Sequence, residues 1–124
     1  VPKGTRALVV EDETALGDAV AAALADEGFR PDRAGDGAEA LRRVSERHYD
    51  VIICDLKMPS VDGMAFFREA SLKFPQIRRR LIFVTGDVAG TDAERFLEES
   101  GCRWIPKPFR LKELVQIARE TLRR

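Results

Sequence analysis

The sequence predicts an α/β fold: one doubly wound sheet of five parallel strands, order 2-1-3-4-5, with helices on both faces. Three observations carry that prediction. Five short apolar runs alternate with five stretches of helical periodicity. The first, third and fourth runs are apolar at every position, as strands buried on both sides must be. Prolines mark the second and fifth runs as edges.

Taken in order, the first strand is ALVV (7–10), and the helix over 14–27 lines up Leu16, Val20, Ala23 and Leu24 on one face. The second strand, FRPDRA (29–34), contains Pro31. Proline has no N–H for a ladder, so this strand belongs at an edge. The helix over 37–47 opens with Asp36 three residues before Glu39, the spacing of a capping box. VIIC (51–54) is the third strand, and an Asp-Gly pair precedes a helix over 63–74. The basic run Arg78 to Arg80 reads as a solvated loop before the fourth strand, LIFV (81–84). Thr91, three residues before Glu94, caps a helix over 91–100. CRWI (102–105) leads into Pro106 and so forms the other edge. The last helix, 111–122, places Leu111, Leu114, Val115, Ala118 and Leu122 on one face. Edges at the second and fifth strands give the flavodoxin-like order. No linker, repeat or low-complexity segment divides residues 1–124, so a single domain is expected.

Composition excludes several classes of function. Of 124 residues, 44% are hydrophobic and 34% charged, enough for both a core and a solvated surface. The 21 basic and 21 acidic residues cancel, which argues against binding to nucleic acid or an anionic membrane. No apolar run has the length of a membrane span, and no signal-peptide pattern opens the chain. Cys54 and Cys102 lack metal-ligand spacing and are expected as free thiols, Cys54 within the core, in a reducing cytoplasm. His48 is the only histidine and reads as a surface residue, which argues strongly against a histidine metal site or catalytic triad. The chain opens on Val1 rather than methionine, as expected of a processed chain or a piece of a longer one.

The polar residues that interrupt this pattern fall at equivalent places. Glu11 and Asp12 follow the first strand, Asp55 the third, Thr85 the fourth and Lys107 the fifth. All lie at carboxyl ends of strands, and the acids flank the gap between strands 1 and 3, where strand order reverses and such sheets bind ligands. Three carboxylates in one crevice repel one another, and a hard divalent cation relieves that repulsion. Oxygen donors without histidine or cysteine suit Mg²⁺, or Mn²⁺, rather than zinc. A lysine and a hydroxyl beside such a metal suit a phosphoryl group, and one carboxylate can accept it as an acyl phosphate. Each residue alone also has a structural reading: Asp12 as a helix cap, Thr85 and Lys107 as ordinary strand-end residues. Their coincidence at one end of the sheet favours a site.

The pieces LVVEDE, VIICDLKMPSVDG, FVTGD and IPKPF resemble the response-regulator receiver domain of two-component signalling, over essentially the whole chain. The resemblance implies that Asp55 is the phosphorylated aspartate and a ligand of Mg²⁺ together with Glu11, Asp12 and the backbone carbonyl of Lys57. It implies that Thr85 is the switch hydroxyl, that Lys107 pairs with the phosphoryl group, and that the Lys107–Pro108 peptide is cis. Such a domain is a phosphorylation-activated switch rather than a conventional enzyme. It catalyses its own phosphorylation and dephosphorylation, taking the phosphoryl group from a histidine kinase or histidine phosphotransfer domain. A downstream partner is then expected on the face of helix 4, strand 5 and helix 5, with no nucleic acid bound by this domain and no membrane.

Two positions depart from the common pattern. The switch aromatic is Trp104, the only tryptophan, whose bulk bears on how far it can swing inward. Lys57 and Asp87, each two residues beyond a site residue, occupy places that modulate phosphoaspartate hydrolysis in the family, and their side chains can meet across the mouth of the site. FVTGDV and RFLEESG followed by KPF are similar to receivers fused to hybrid sensor kinases. A C-terminal receiver of such a kinase therefore stands beside a stand-alone regulator, and a degenerate receiver acting as an interaction module stands as the alternative function. A haloacid-dehalogenase-type phosphatase needs a second aspartate where this chain has Lys57. A nucleotide or flavin site needs a glycine- or hydroxyl-rich loop where it has the acidic EDETALGD.

Overall fold

The computed structural model describes residues 1–58, 61–86 and 92–123. The strands are β1 (Arg6–Val10), β2 (Arg30–Ala34), β3 (Val51–Asp55), β4 (Leu81–Thr85) and β5 (Arg103–Pro106). The helices are α1 (Thr14–Asp26), α2 (Gly37–Glu46), α3 (Gly63–Lys73), α4 (Asp92–Ser100) and α5 (Leu111–Thr121). All strand pairs are parallel, and the order is β2-β1-β3-β4-β5. This is the flavodoxin-like sheet that the alternation and the two prolines predict. Pro31 lies in edge strand β2 and Pro106 ends edge strand β5.

Burial follows the reading of the strands. Every residue of β3 and β4 is buried, while β2 is mostly half-exposed and β5 leaves two of its four residues, Trp104 and Pro106, exposed. The sheet separates two cores. On one face Val9, Ile53, Val84 and Ile105 pack against Val20 and Leu24 of α1 and Leu114, Val115 and Ala118 of α5. On the other, Leu8, Ile52, Cys54 and Phe83 pack against α2, α3 and α4 through Ala40, Phe66, Ala70 and Phe96. Alternate residues of each strand thus serve opposite layers. On the second face Phe67, Phe83 and Phe96 meet edge to face, with ring centroids 5.4 to 6.1 Å apart.

The cap of α2 forms at the predicted residues, but the returning bond from Glu39 goes to Gly35 rather than to the N-cap Asp36. The Glu39 N–H donates to Asp36 Oδ1 (2.8 Å), and Glu39 Oε1 accepts from the Gly35 N–H (2.6 Å). Asp62 caps α3 by accepting from the Ala65 N–H at 2.9 Å. The N-cap of α1 is Glu13, so Asp12 is not engaged as that helix's cap. Thr91, read as the cap of α4, lies outside the described residues.

One reading of the sequence needs correction. Residues 78–80 are solvated only in part and are not an irregular loop: Arg78 and Arg79 are exposed but belong to a 3₁₀ helix, Pro75–Arg79, that buries Ile77, and Arg80 is half-buried. The Arg80 guanidinium donates to the Tyr49 carbonyl (2.7 Å) and lies 3.2 Å from His48 Nδ1. Burial lowers its pKa from the ordinary arginine value, against the opposing charge of Asp50. Charge alone does not reveal that Arg80 has a backbone partner 31 residues away. His48 is exposed but bridged, with Nε2 3.3 Å from Asp50 Oδ1. Cys54 and Cys102 are both buried.

Candidate functional site

The carboxyl ends of β1, β3, β4 and β5 lie side by side because the order 1-3-4-5 makes those strands neighbours. Glu11 and Asp12 follow β1, Asp55 ends β3, Thr85 ends β4 and Lys107 follows β5. Glu11, Asp12 and Asp55 each offer a carboxylate oxygen within 4.8 Å of the others. Glu11 and Asp55 are buried, whereas Asp12 is exposed at the mouth.

Lys107 reaches into this cluster. Its Nζ donates to Asp55 Oδ2 at 2.9 Å and to Glu11 Oε1 at 3.3 Å. Burial opposes its charge, but the hydrogen bond and charge of Asp55, with Glu11 beside it, hold its pKa above the ordinary lysine value. The Lys107 N–H bonds the Thr85 carbonyl at 2.7 Å, so the lysine is seated on the end of β4. The Lys107–Pro108 peptide that follows is cis.

One lysine does not neutralise three acids. Burial, with the charge of Asp55, raises the pKa of Glu11 from 4.5 to about 7, even though the Glu13 N–H and Lys107 favour its ionised form. The other Asp55 oxygen, Oδ1, accepts from the Lys57 N–H at 3.3 Å. Lys57 itself is exposed. The Thr85 hydroxyl is 2% exposed and has no hydrogen-bond partner among the described residues. A buried hydroxyl without a partner is costly and calls for a ligand that accepts from it or donates to it.

The donor set fits a hard divalent cation: clustered carboxylate oxygens, no sulfur and no imidazole. Trp104 lies in β5 in register with Phe83 of β4, whose ring packs on the α3–α4 side. At 41% exposed it is a half-open residue on that face, away from the carboxylates. Asp87, the expected counterpart of Lys57, lies outside the described residues.

A model of the response regulator receiver domain matches residues 7–119. The chain belongs to that family. This receiver domain is 38% identical over 119 residues to the transcriptional regulatory protein CutR of Streptomyces coelicolor, covering 96% of this chain and 54% of the relative. The chain thus spans about half the length of that curated relative. Among solved structures, the CheY-like response regulator receiver domain protein from Methanospirillum hungatei superposes with a TM-score of 0.88 and 26% identity. The match covers 98% of this chain and 95% of that one. The receiver domain of the sensor histidine kinase PA1611 from Pseudomonas aeruginosa gives a TM-score of 0.86 and 29% identity, over 98% of this chain and 99% of that one. That structure has a magnesium ion coordinated in its active site cleft.

The structure brings Glu11, Asp12, Asp55 and Lys107 together as the sequence predicts, and beside them stand two residues the sequence does not single out. Gly63 and Gly17 carry no chemistry, and only the structure shows what lies against them. A Cβ on Gly63 would stand 2.5 Å from the Asp55 carbonyl oxygen, and one on Gly17 would land on the Arg33 guanidinium.

Proposed function

We propose that this receiver domain is a phosphorylation-controlled switch in which Asp55 accepts a phosphoryl group in a Mg²⁺-dependent reaction, Mn²⁺ being able to substitute. The observation that carries the proposal is the Asp55 carboxylate, bonded to Lys107 at 2.9 Å inside a cluster of three carboxylates. Glu11, Asp12, Asp55 and the Lys57 carbonyl would hold the metal. When bound, the metal supplies neutralisation of the negative charge on the phosphoryl oxygens.

The remaining work falls to the chain's own groups. An Asp55 carboxylate oxygen forms the new P–O bond as the bond from phosphorus to the donor breaks, and the electron pair leaves with the donor. With a phosphohistidine donor, the leaving group is an imidazole. Lys107 is placed to pair with a phosphoryl oxygen in exchange for its bond to the free carboxylate. The Thr85 hydroxyl, buried without a partner among the described residues, is the donor for another. Drawing that hydroxyl toward the site would alter the end of β4, which pairs with β5, the strand that carries Trp104. The face of α4, β5 and α5 would then favour a different packing and a downstream partner. The phosphoryl donor is a histidine kinase or histidine phosphotransfer domain, and hydrolysis of the acyl phosphate resets the switch.

Incubation with acetyl phosphate and Mg²⁺, followed by intact-mass analysis, tests the reading. A single phosphoryl adduct that is lost in Asp55→Asn and suppressed by EDTA is expected. An equal adduct in Asp55→Asn overturns the assignment of the acceptor, and an undiminished one in EDTA overturns the metal.

A further inference from the structure

Arg33 is absent from every role considered above, yet its guanidinium lies beneath the acidic loop. It projects from edge strand β2, in register with Val9 of β1. Its Nη1 donates to the carbonyls of Val9 at 3.1 Å and Glu11 at 3.3 Å, and its Nε meets Asp18 Oδ1 at 3.4 Å. The side chain is 26% exposed, so this is a partly covered contact rather than a solvated one. The slot it fills is made by Gly17 of α1, where a Cβ would overlap the guanidinium.

The Glu11 carbonyl and the Asp12 N–H belong to one rigid peptide plane. Holding that carbonyl from below fixes the plane from which the Asp12 side chain departs. Within the same loop, Glu11 Oε2 accepts from the Glu13 N–H at 3.1 Å. The two contacts hold the Glu11 backbone and side chain separately, and the Asp18 contact ties the same guanidinium to the first turns of α1. A planar fork can serve two carbonyls and a carboxylate together, which an ammonium on a flexible stem does poorly.

We infer that Arg33, seated over Gly17, is a positioning residue for the metal-binding acids Glu11 and Asp12. The inference rests on the proposed metal site, and its effect is on affinity for the cation through loop geometry rather than through direct contact. Groups that support metal ligands in this way are worth about tenfold or more in affinity.

The test is a Mg²⁺ titration of the whole domain followed by backbone amide NMR shifts, with thermal melting of the metal-free protein alongside. Arg33→Ala is expected to raise the Mg²⁺ dissociation constant about tenfold. Gly17→Ala, which expels the guanidinium, is expected to do the same, and the double variant no more than either single one, because both remove one contact. Arg33→Lys keeps the charge without the fork and is expected to recover only part of the loss; should Arg33→Ala fail to fold, this variant and Gly17→Ala carry the test. Asp18→Asn, which removes only the exposed ion pair, should stay within about twofold of wild type. A lowered melting temperature with an unchanged dissociation constant in Arg33→Ala and Gly17→Ala would reduce Arg33 to a structural residue and overturn the inference. Full recovery in Arg33→Lys would also overturn it, because charge alone would then suffice. Wild-type protein that shows no Mg²⁺-dependent shifts would instead overturn the metal site itself.

Discussion

Gly63 and Asp55 are packed backbone to backbone: the Gly63 N–H bonds the Leu56 carbonyl at 2.9 Å, and a Cβ on Gly63 would stand 2.5 Å from the Asp55 carbonyl oxygen. The start of α3 therefore presses on the peptide that carries the acceptor. Gly63→Ala must push the two apart, and no flexible side chain is there to yield. The variant is expected to lose about 1–3 kcal/mol of stability in denaturant unfolding, the range of other overpacking changes. It should also accept phosphoryl groups more slowly than its stability loss explains. Wild-type stability would show that the turn relaxes freely.

The acid cluster sets a second expectation. Glu11, Asp12 and Asp55 store like-charge repulsion that Lys107 only partly offsets, so a cation that binds only the folded protein stabilises it. At a hundredfold excess over its dissociation constant, Mg²⁺ should add ~2.7 kcal/mol. Asp12→Ala should lose most of that gain. Differential scanning calorimetry with and without millimolar Mg²⁺ measures it, and identical melting temperatures would contradict it.

Trp104 provides its own probe. It is the only tryptophan and is 41% exposed, so its emission reports one half-open position. Beryllofluoride with Mg²⁺, a phosphoryl mimic, should shift that emission and reduce access to quenchers if the aromatic moves inward. The mimic can shift the packing only by its differential affinity for the two arrangements. Thr85→Ala should mute the response while leaving metal binding intact. An unchanged spectrum in saturated wild-type protein would assign the movement elsewhere.

Tyr49 gives a prediction at the opposite end of the sheet. Its hydroxyl donates to Asp32 Oδ2 at 2.7 Å, and burial together with that carboxylate raises its pKa from 10.0 to about 12. The raised value means that the folded state keeps the phenol protonated after the unfolded chain has begun to ionise. Stability is therefore intact below pH 10 and falls as pH rises from 10 through 12. Tyr49→Phe should be less stable at neutral pH, through loss of the hydroxyl bond to Asp32, which among the described residues keeps only Arg47 at 3.3 Å, but should lose less across that alkaline interval. Parallel slopes for the two proteins in alkaline melting would refute the assignment.

Much of this was legible in the sequence because the relevant signals are local. Uninterrupted apolar runs identify the central strands, Pro31 and Pro106 identify the edges, and a polar residue directly after a strand marks the sheet's binding end. Glu11, Asp12, Asp55, Thr85 and Lys107 could thus be assigned to one crevice before any coordinates. What was not legible depends on contacts between distant segments. Arg80 reads as one more charge in a basic run until the Tyr49 carbonyl is found beside it. Gly17 and Gly63 read as helix residues of poor propensity, and only the chain packed against them explains why a side chain is absent. Arg33 lies in a strand whose composition suggests nothing but an edge.

The residues of the proposed site all come from strand ends and the first residues beyond them, and none comes from a helix body. Under the proposed function, chemistry and recognition therefore occupy separate parts of the chain. The outer faces of α4 and α5 could then be rewritten to redirect the domain toward a new receiver of the signal while the strand ends are left untouched. For anyone grafting this domain into an artificial circuit, the outer helix faces are the exchangeable plugs, and the strand ends with Gly17 and Gly63 packed beside them are the fixed socket.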